Sequence, residues 1–203
     1  GEFRKMTGLI WDLPEEAIVP PVDPRSNVEA RIMGIDWGLR HPSAIVVPEL
    51  KNNVWTVVAE WKRAEQTNAQ VVQVARNMAQ EWRVSRAYPD PASPERIKEA
   101  EAAGIPVYEA SRDVFGGIRF VQTLIKEGRL KVTSSCTDLL SEMSMWQWKE
   151  TRPGKDVKDK PENVDEDLCA ALRYCLYSHQ PLKQEWVASE PAKPWYGSKE
   201  IPW

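Results

Sequence analysis

Three acidic positions carry the chemistry open to this chain. Asp36 ends the apolar run Arg31-Ile-Met-Gly-Ile-Asp36, just before Trp37-Gly38, and Asp90 ends Arg86-Ala-Tyr-Pro-Asp90. The third position is the cluster Asp165-Glu166-Asp167, at the start of a helical pattern over 166–179. A carboxylate at the end of an apolar strand is costly to desolvate unless it is paired or bound to a cation. Three of them within ~4–6 Å raise each other's pKa and stay ionised only around a divalent ion. Oxygen ligands without Cys or His select Mg²⁺ or Mn²⁺ over Zn²⁺. Two such ions ~4 Å apart activate water and stabilise the leaving oxygen of a phosphodiester. Each acid alone also has a plain structural role. Asp36 suits a turn before Gly38, Asp90 a Pro-rich turn or a helix cap with Ser93, and Asp165 a helix N-cap. Their occurrence together, in this order, favours the metal reading.

A phosphodiester substrate needs cations around those acids. Between Lys149 and Lys160 stand five basic residues (Lys149, Arg152, Lys155, Lys158, Lys160) against three acids. This Gly/Pro-containing stretch leads into the acidic cluster and suits a loop that contacts phosphates, or simply a solvated loop. Arg112, Arg119, Lys126, Arg129 and Lys131 form a second, dispersed basic set, in which Arg112 and Arg119 roughly align on a helical wheel. His41, five residues after Asp36, is a candidate for orienting water or a phosphate, or an ordinary turn histidine.

The elements that must position these residues follow from periodicity. Strands are expected at 31–36, 44–47 and 54–61, an antiparallel trio with turns at 38–42 and 51–53. Thr67-Asn-Ala-Gln70 is a capping box that opens a helix with Val71, Ala75, Met78 and Trp82 on its apolar face. A strand at 86–88 and a helix opened by Ser93-Pro94 and closed at Gly104 come next. Ile105-Pro-Val-Tyr108 reads as a short edge strand. Then follow a helix ending at Gly128, a strand at 130–132, a helix over 137–147 and the last helix over 166–179. A trio of antiparallel strands followed by alternating helix and strand implies an α/β fold. It is a mixed sheet flanked by helices, in the order of the ribonuclease H fold.

Composition bounds the rest. The chain has 203 residues, 42% apolar and 28% charged, with a formal net charge of −3, so it supports a real core but carries no global basic signal for nucleic acid. No apolar run approaches the ~20 residues of a membrane helix. Three cysteines at unpatterned spacings and only two histidines fit neither a disulfide framework nor a zinc site, pointing to a reducing, cytoplasmic compartment. Gly1-Glu2-Phe3, without an initiator Met, reads as a cloning remnant. Residues 1–28 are expected as that remnant and an extended Pro-containing arm, 29–180 as the folded domain and 181–203 as a tail. Trp186, Trp195 and Trp203 in the tail suit a docking segment or plain padding.

Gly34-Ile-Asp-Trp-Gly38 followed by His41-Pro-Ser-Ala44 resembles the opening nuclease motif of tailed-phage large terminases. Tyr88-Pro-Asp-Pro-Ala92 is similar to their second motif. Asp113-Val-Phe-Gly-Gly-Ile118, the block Glu142 to Trp148, and Asp167-Leu-Cys-Ala-Ala-Leu-Arg-Tyr174 are similar to the remaining blocks in order and spacing. The resemblance covers about residues 8–180. It implies a ribonuclease H-like endonuclease that cuts concatemeric double-stranded DNA with two Mg²⁺ or Mn²⁺ ions held by Asp36, Asp90 and Asp167. It implies further an ATPase domain of the same large terminase, partners in the portal and small terminase subunit, and work in the infected host's cytoplasm with transient attachment to the procapsid. Many members carry His where Asp167 stands and Asp where Ala170 stands, so the third ligand must come from 165–167, with Asp165 in reserve. No GxxxxGK[ST] phosphate loop occurs in these residues. A cellular junction resolvase or transposase core, or a non-catalytic DNA- or portal-binding module, are the alternative readings.

Overall fold

The computed structural model describes residues 8–38, 41–148, 161 and 166–179. Its frame is a six-stranded mixed sheet in the order β1-β6-β4-β3-β2-β5. Strands β2 (Ala30–Asp36), β3 (Ser43–Lys51) and β4 (Val54–Arg63) form the expected antiparallel trio. Strand β3 runs past Val47 because a register shift at Val47/Pro48 absorbs the proline, which has no N–H for the ladder. Strand β5 (Arg86–Pro89) joins β2 in parallel, and β6 (Leu130–Thr133) joins β4 in parallel.

Helices cover both faces, which is why the central strands read as nearly unbroken apolar runs rather than alternating ones. One face packs Met33, Ile35, Ile45, Val47 and Val58 under α1 (Asn68–Glu81) and α2 (Pro94–Ala102). The other packs Ile32, Val46 and Val57 under α3 (Val114–Lys126), α4 (Thr137–Met145) and α5 (Asp167–Ser178). Helix α1 starts at the capping box: Thr67 Oγ1 accepts from Gln70 N, and Gln70 Oε1 accepts from Thr67 N at 2.8 Å.

Two expectations change. The stretch 8–30, expected as an extended arm, includes a short 3-10 helix (Glu15–Ala17) and joins the domain. Ile10 and Trp11 are buried, and β1 (Ile18–Val19) pairs in parallel with β6 at the sheet edge. Large apolar side chains supply the reason: Trp11 stands edge-on to Trp146 at 4.9 Å and donates from Nε1 to Ile118 O. The edge strand expected at 105–108 shortens to a single parallel bridge, Ala87 with Val107, since Pro106 has no N–H to extend it. The tail 181–203 lies outside the described residues. Among the described residues, no helix is long and apolar enough to cross a membrane, and Cys136, Cys169 and Cys175 are buried free thiols.

Candidate active site

Asp36 and Asp90 close neighbouring parallel strands. Ile35 pairs with Pro89, and Asp90 N donates to Ile35 O at 2.8 Å, so the two next residues stand side by side at the C-terminal edge of the sheet. The chain turns sharply after Asp36. Gly38 adopts φ +55°, and a Cβ there would collide with the Pro42 carbonyl. The turn is pinned at Trp37, whose carbonyl accepts from Ser43 Oγ at 2.9 Å and Arg96 Nη1 at 2.6 Å. Gly38 N donates to Asp36 Oδ1 at 3.0 Å. Asp90 Oδ1 accepts from Ala92 N at 3.0 Å and from the Tyr174 hydroxyl at 3.1 Å.

The third acid arrives on α5. Gly34 lets this helix lie against β2 so closely that a Cβ would strike the Ala171 carbonyl oxygen. Asp167 is four residues before Ala171, about one turn, and Asp36 is two residues after Gly34, about 6.6 Å along the strand. The start of the helix thus overhangs the strand end. Burial, with the charges of Asp90 and Asp167 acting the same way, holds the Asp36 carboxyl at about 6 against the opposing pull of the Gly38 N–H.

Asp167 itself is 7% exposed, with Oδ2 3.0 Å from Lys62 Nζ at the end of β4. The same ammonium lies 2.7 Å from Oε1 of Glu142, a residue of α4 that is 3% exposed. Glu142 Oε2 accepts from Leu168 N at 2.9 Å and Cys169 N at 3.0 Å, capping α5 from another helix. Burial lifts Glu142 to about 7 against the pull of Lys62 and of these N–H donors. Burial alone would lower Lys62, but its hydrogen bonds to Glu142 and Asp167 outweigh it and raise the group, so it stays charged at neutral pH. Lys62 and Glu142 also line an open cleft of about 370 Å³ with Pro42, Arg63 and Ser141.

Each of the three aspartates therefore has one oxygen anchored by the protein. Asp36 Oδ2, Asp90 Oδ2 and Asp167 Oδ1 have no protein hydrogen-bond partner among the described residues, and none of them is sealed from solvent. Open carboxylate oxygens that repel one another suit a hard divalent cation. Among the described residues no three such side chains converge on one point closely enough to enclose an ion. The donor chemistry fits an ion whose remaining ligands are water or substrate oxygens.

No protein-family model matches the chain. The large terminase subunit of Escherichia phage T5 is 28% identical over 156 residues, which are 72% of this chain and 35% of that protein. This chain thus spans about a third of the length of the curated relative it matches. The large terminase of a thermophilic bacteriophage, solved in complex with ATP-gamma-S, superposes with a TM-score of 0.75 at 24% identity, over 86% of this chain and 46% of that one. The nuclease domain of the g2p large terminase of bacteriophage SPP1, solved with bound Mn, superposes with a TM-score of 0.66 at 16% identity, over 83% of this chain and all of that domain. The fold is that of the large terminase nuclease domains. The ribonuclease H-like α/β architecture expected from the order of elements is the one observed.

Within this fold, Asp36 and Asp90 stand side by side at one edge of the sheet, and Asp167 lies near enough for its charge to act on Asp36. Arg112 is exposed and donates to Pro91 O at 3.3 Å, beside the Asp90 loop. Arg119 is exposed on α3, and His41 is exposed close enough to Glu166 for its charge to act on it. Asp165, Lys149, Arg152, Lys155, Lys158 and Lys160 lie outside the described residues. Lys62, Tyr174 and the anchoring role of Glu142 escaped the sequence reading. Lys62 meets Glu142 across 80 positions of chain, a separation no local pattern reports. An acid at an inward position of α4, between Leu139 and Met143, was the one visible signal. Arg173 is also buried, with Nη1 lacking a hydrogen-bond partner and its guanidinium 4.2 Å from the centre of the Tyr174 ring.

Proposed function

We propose that this chain is the nuclease domain of a phage large terminase, a metal-dependent endonuclease that cuts concatemeric double-stranded DNA during genome packaging. The observation that carries the reading is the set of three aspartates from β2, β5 and α5, each with one anchored and one open oxygen, in a fold shared with terminase nucleases. Asp36, Asp90 and Asp167 would hold two Mg²⁺ or Mn²⁺ ions, with Asp165 in reserve. Such ions supply an attacking water of lowered pKa and neutralise the leaving 3′-oxygen.

The chain's own groups do the positioning. The Gly38 N–H holds Asp36, the Ala92 N–H and the Tyr174 hydroxyl hold Asp90, and Lys62 holds Asp167. Arg112 and Arg119 from α3 and the turn before it, together with the basic stretch from Lys149 to Lys160, would grip phosphates and confer affinity with little sequence reading. The T5 protein and the terminase solved with ATP-gamma-S are two to three times the length of the segment matched here, which supports an ATPase domain elsewhere in the same protein. The portal, the small terminase subunit, the host cytoplasm and the procapsid complete the setting we infer.

The test is incubation of supercoiled plasmid with the protein in Mn²⁺, Mg²⁺, Ca²⁺ or EDTA, with Asp36→Asn alongside. Nicking and linearisation in Mn²⁺ or Mg²⁺, lost in the folded variant, is the expected result. Undiminished cleavage by Asp36→Asn would remove Asp36 from the chemistry. A strong preference for branched over linear duplex would point instead to a junction resolvase.

A further inference from the structure

We infer that Glu142 and Lys62 form a positioning relay that sets the carboxylate of Asp167; the inference rests on the nuclease reading above and adds two residues to it. Helix α5 has no cap of its own, since its N-cap residue Glu166 makes no capping side-chain bond and instead accepts from Trp146 Nε1 at 2.7 Å. The helix start is fixed from α4, where Glu142 Oε2 accepts from two consecutive first-turn N–H groups, Leu168 and Cys169. An acceptor there satisfies donors that would otherwise be orphaned in a buried place, and a negative charge suits the positive end of the helix.

The other oxygen of Glu142 holds Lys62. A lysine has four rotatable side-chain bonds and no orientation of its own, so an ammonium 2.7 Å from Glu142 and 3.0 Å from Asp167 is fixed only while Glu142 is charged and in place. Asp167 then has one oxygen tied to Lys62 and the other without a protein partner among the described residues, near enough to Asp36 for its charge to act there. One ammonium shared between Glu142 and Asp167 leaves Asp36 and Asp90 without a cation of their own among the described residues. The relay orients Asp167 without cancelling the attraction for a cation. Neither Glu142 nor Lys62 needs to touch substrate, so both are positioning residues.

Single-turnover cleavage by Lys62→Met, Lys62→Arg and Glu142→Gln tests the relay, with metal-free crystal structures of the variants beside it. Gln can still accept from Leu168 N and Cys169 N, so Glu142→Gln keeps the cap while releasing Lys62. A charge-assisted hydrogen bond contributes about 1.5–3 kcal/mol, which corresponds to roughly 10–100-fold in rate. Lys62→Met and Glu142→Gln should lose at least tenfold in kcat with KM for DNA unchanged, and Lys62→Arg should recover most of it. The crystals should show the Asp167 carboxylate rotated away from its place in both slow variants. Wild-type kcat in Lys62→Met and Glu142→Gln would overturn the relay while leaving the nuclease intact. If the wild-type protein does not cleave DNA, the nuclease reading fails, and the crystals alone decide: an unmoved Asp167 in Lys62→Met overturns the relay.

Discussion

The environment of Asp36 departs clearly from water. Its carboxyl is held near 6, against an ordinary 3.8, by burial and by the neighbouring charges of Asp90 and Asp167. A folded-state pKa above the unfolded one means the folded chain binds a proton more readily. The stabilisation from this group is complete below pH 3.8 and is lost as pH rises through 6. At ~1.4 kcal/mol per pH unit the difference approaches about 3 kcal/mol. Urea unfolding in EDTA between pH 4 and pH 7 should show this decline, and Asp36→Asn should flatten it. Glu60, Glu142 and Glu166, all raised by burial, give a background of the same sign, so the comparison with the variant is the informative one. Equal slopes in both proteins would mean that Asp36 titrates as an exposed acid. The two strand-end aspartates were legible because they recur in order with a third acidic position, whereas each alone suits a plain turn or cap. The lysine that holds the third was not, because an ion pair between β4 and α4 leaves no trace in spacing beyond one acid at an inward position of α4.

At the scale of elements, the site depends on how closely α5 approaches β2. Gly34 permits that approach, and a side chain there meets backbone rather than a movable side chain. Gly34→Ala should cost about 1–3 kcal/mol, the usual range for overpacking a well-filled core. It should also slow cleavage by displacing Asp167 from Asp36, as unfolding curves and single-turnover rates would report. Unchanged cleavage in a destabilised Gly34→Ala would separate the approach of the helix from the chemistry. Most elements could be read from the chain because their signals are local. The capping box at Thr67, Pro94 at a first helical position and the turn at Gly128 each act within a few residues. The glycine at 34 could not be read this way, since what demands it is a helix more than 130 positions further on.

For the whole molecule, the N-terminal stretch belongs to the folded core. Ile10 N donates to Trp146 O at 2.8 Å, Gln122 Nε2 donates to Ile10 O at 2.9 Å, and Trp11 packs against Trp146, whose own Nε1 reaches Glu166 beside Asp167. Trp11→Ala should therefore cost about 3–5 kcal/mol, measured by urea unfolding. A loss under about 1 kcal/mol, the scale of an ordinary surface change, would show that this stretch is peripheral. Proline-rich spacing concealed the connection, because two buried side chains in a stretch with few regular elements carry no period. The central claim is that the open oxygens of Asp36, Asp90 and Asp167 hold divalent ions. Anomalous diffraction from Mn²⁺-soaked crystals tests it most directly. One or two manganese peaks bounded by Asp36 Oδ2, Asp90 Oδ2 and Asp167 Oδ1 are expected. Manganese bound only elsewhere, with Lys62 still the sole cation at Asp167, would contradict it.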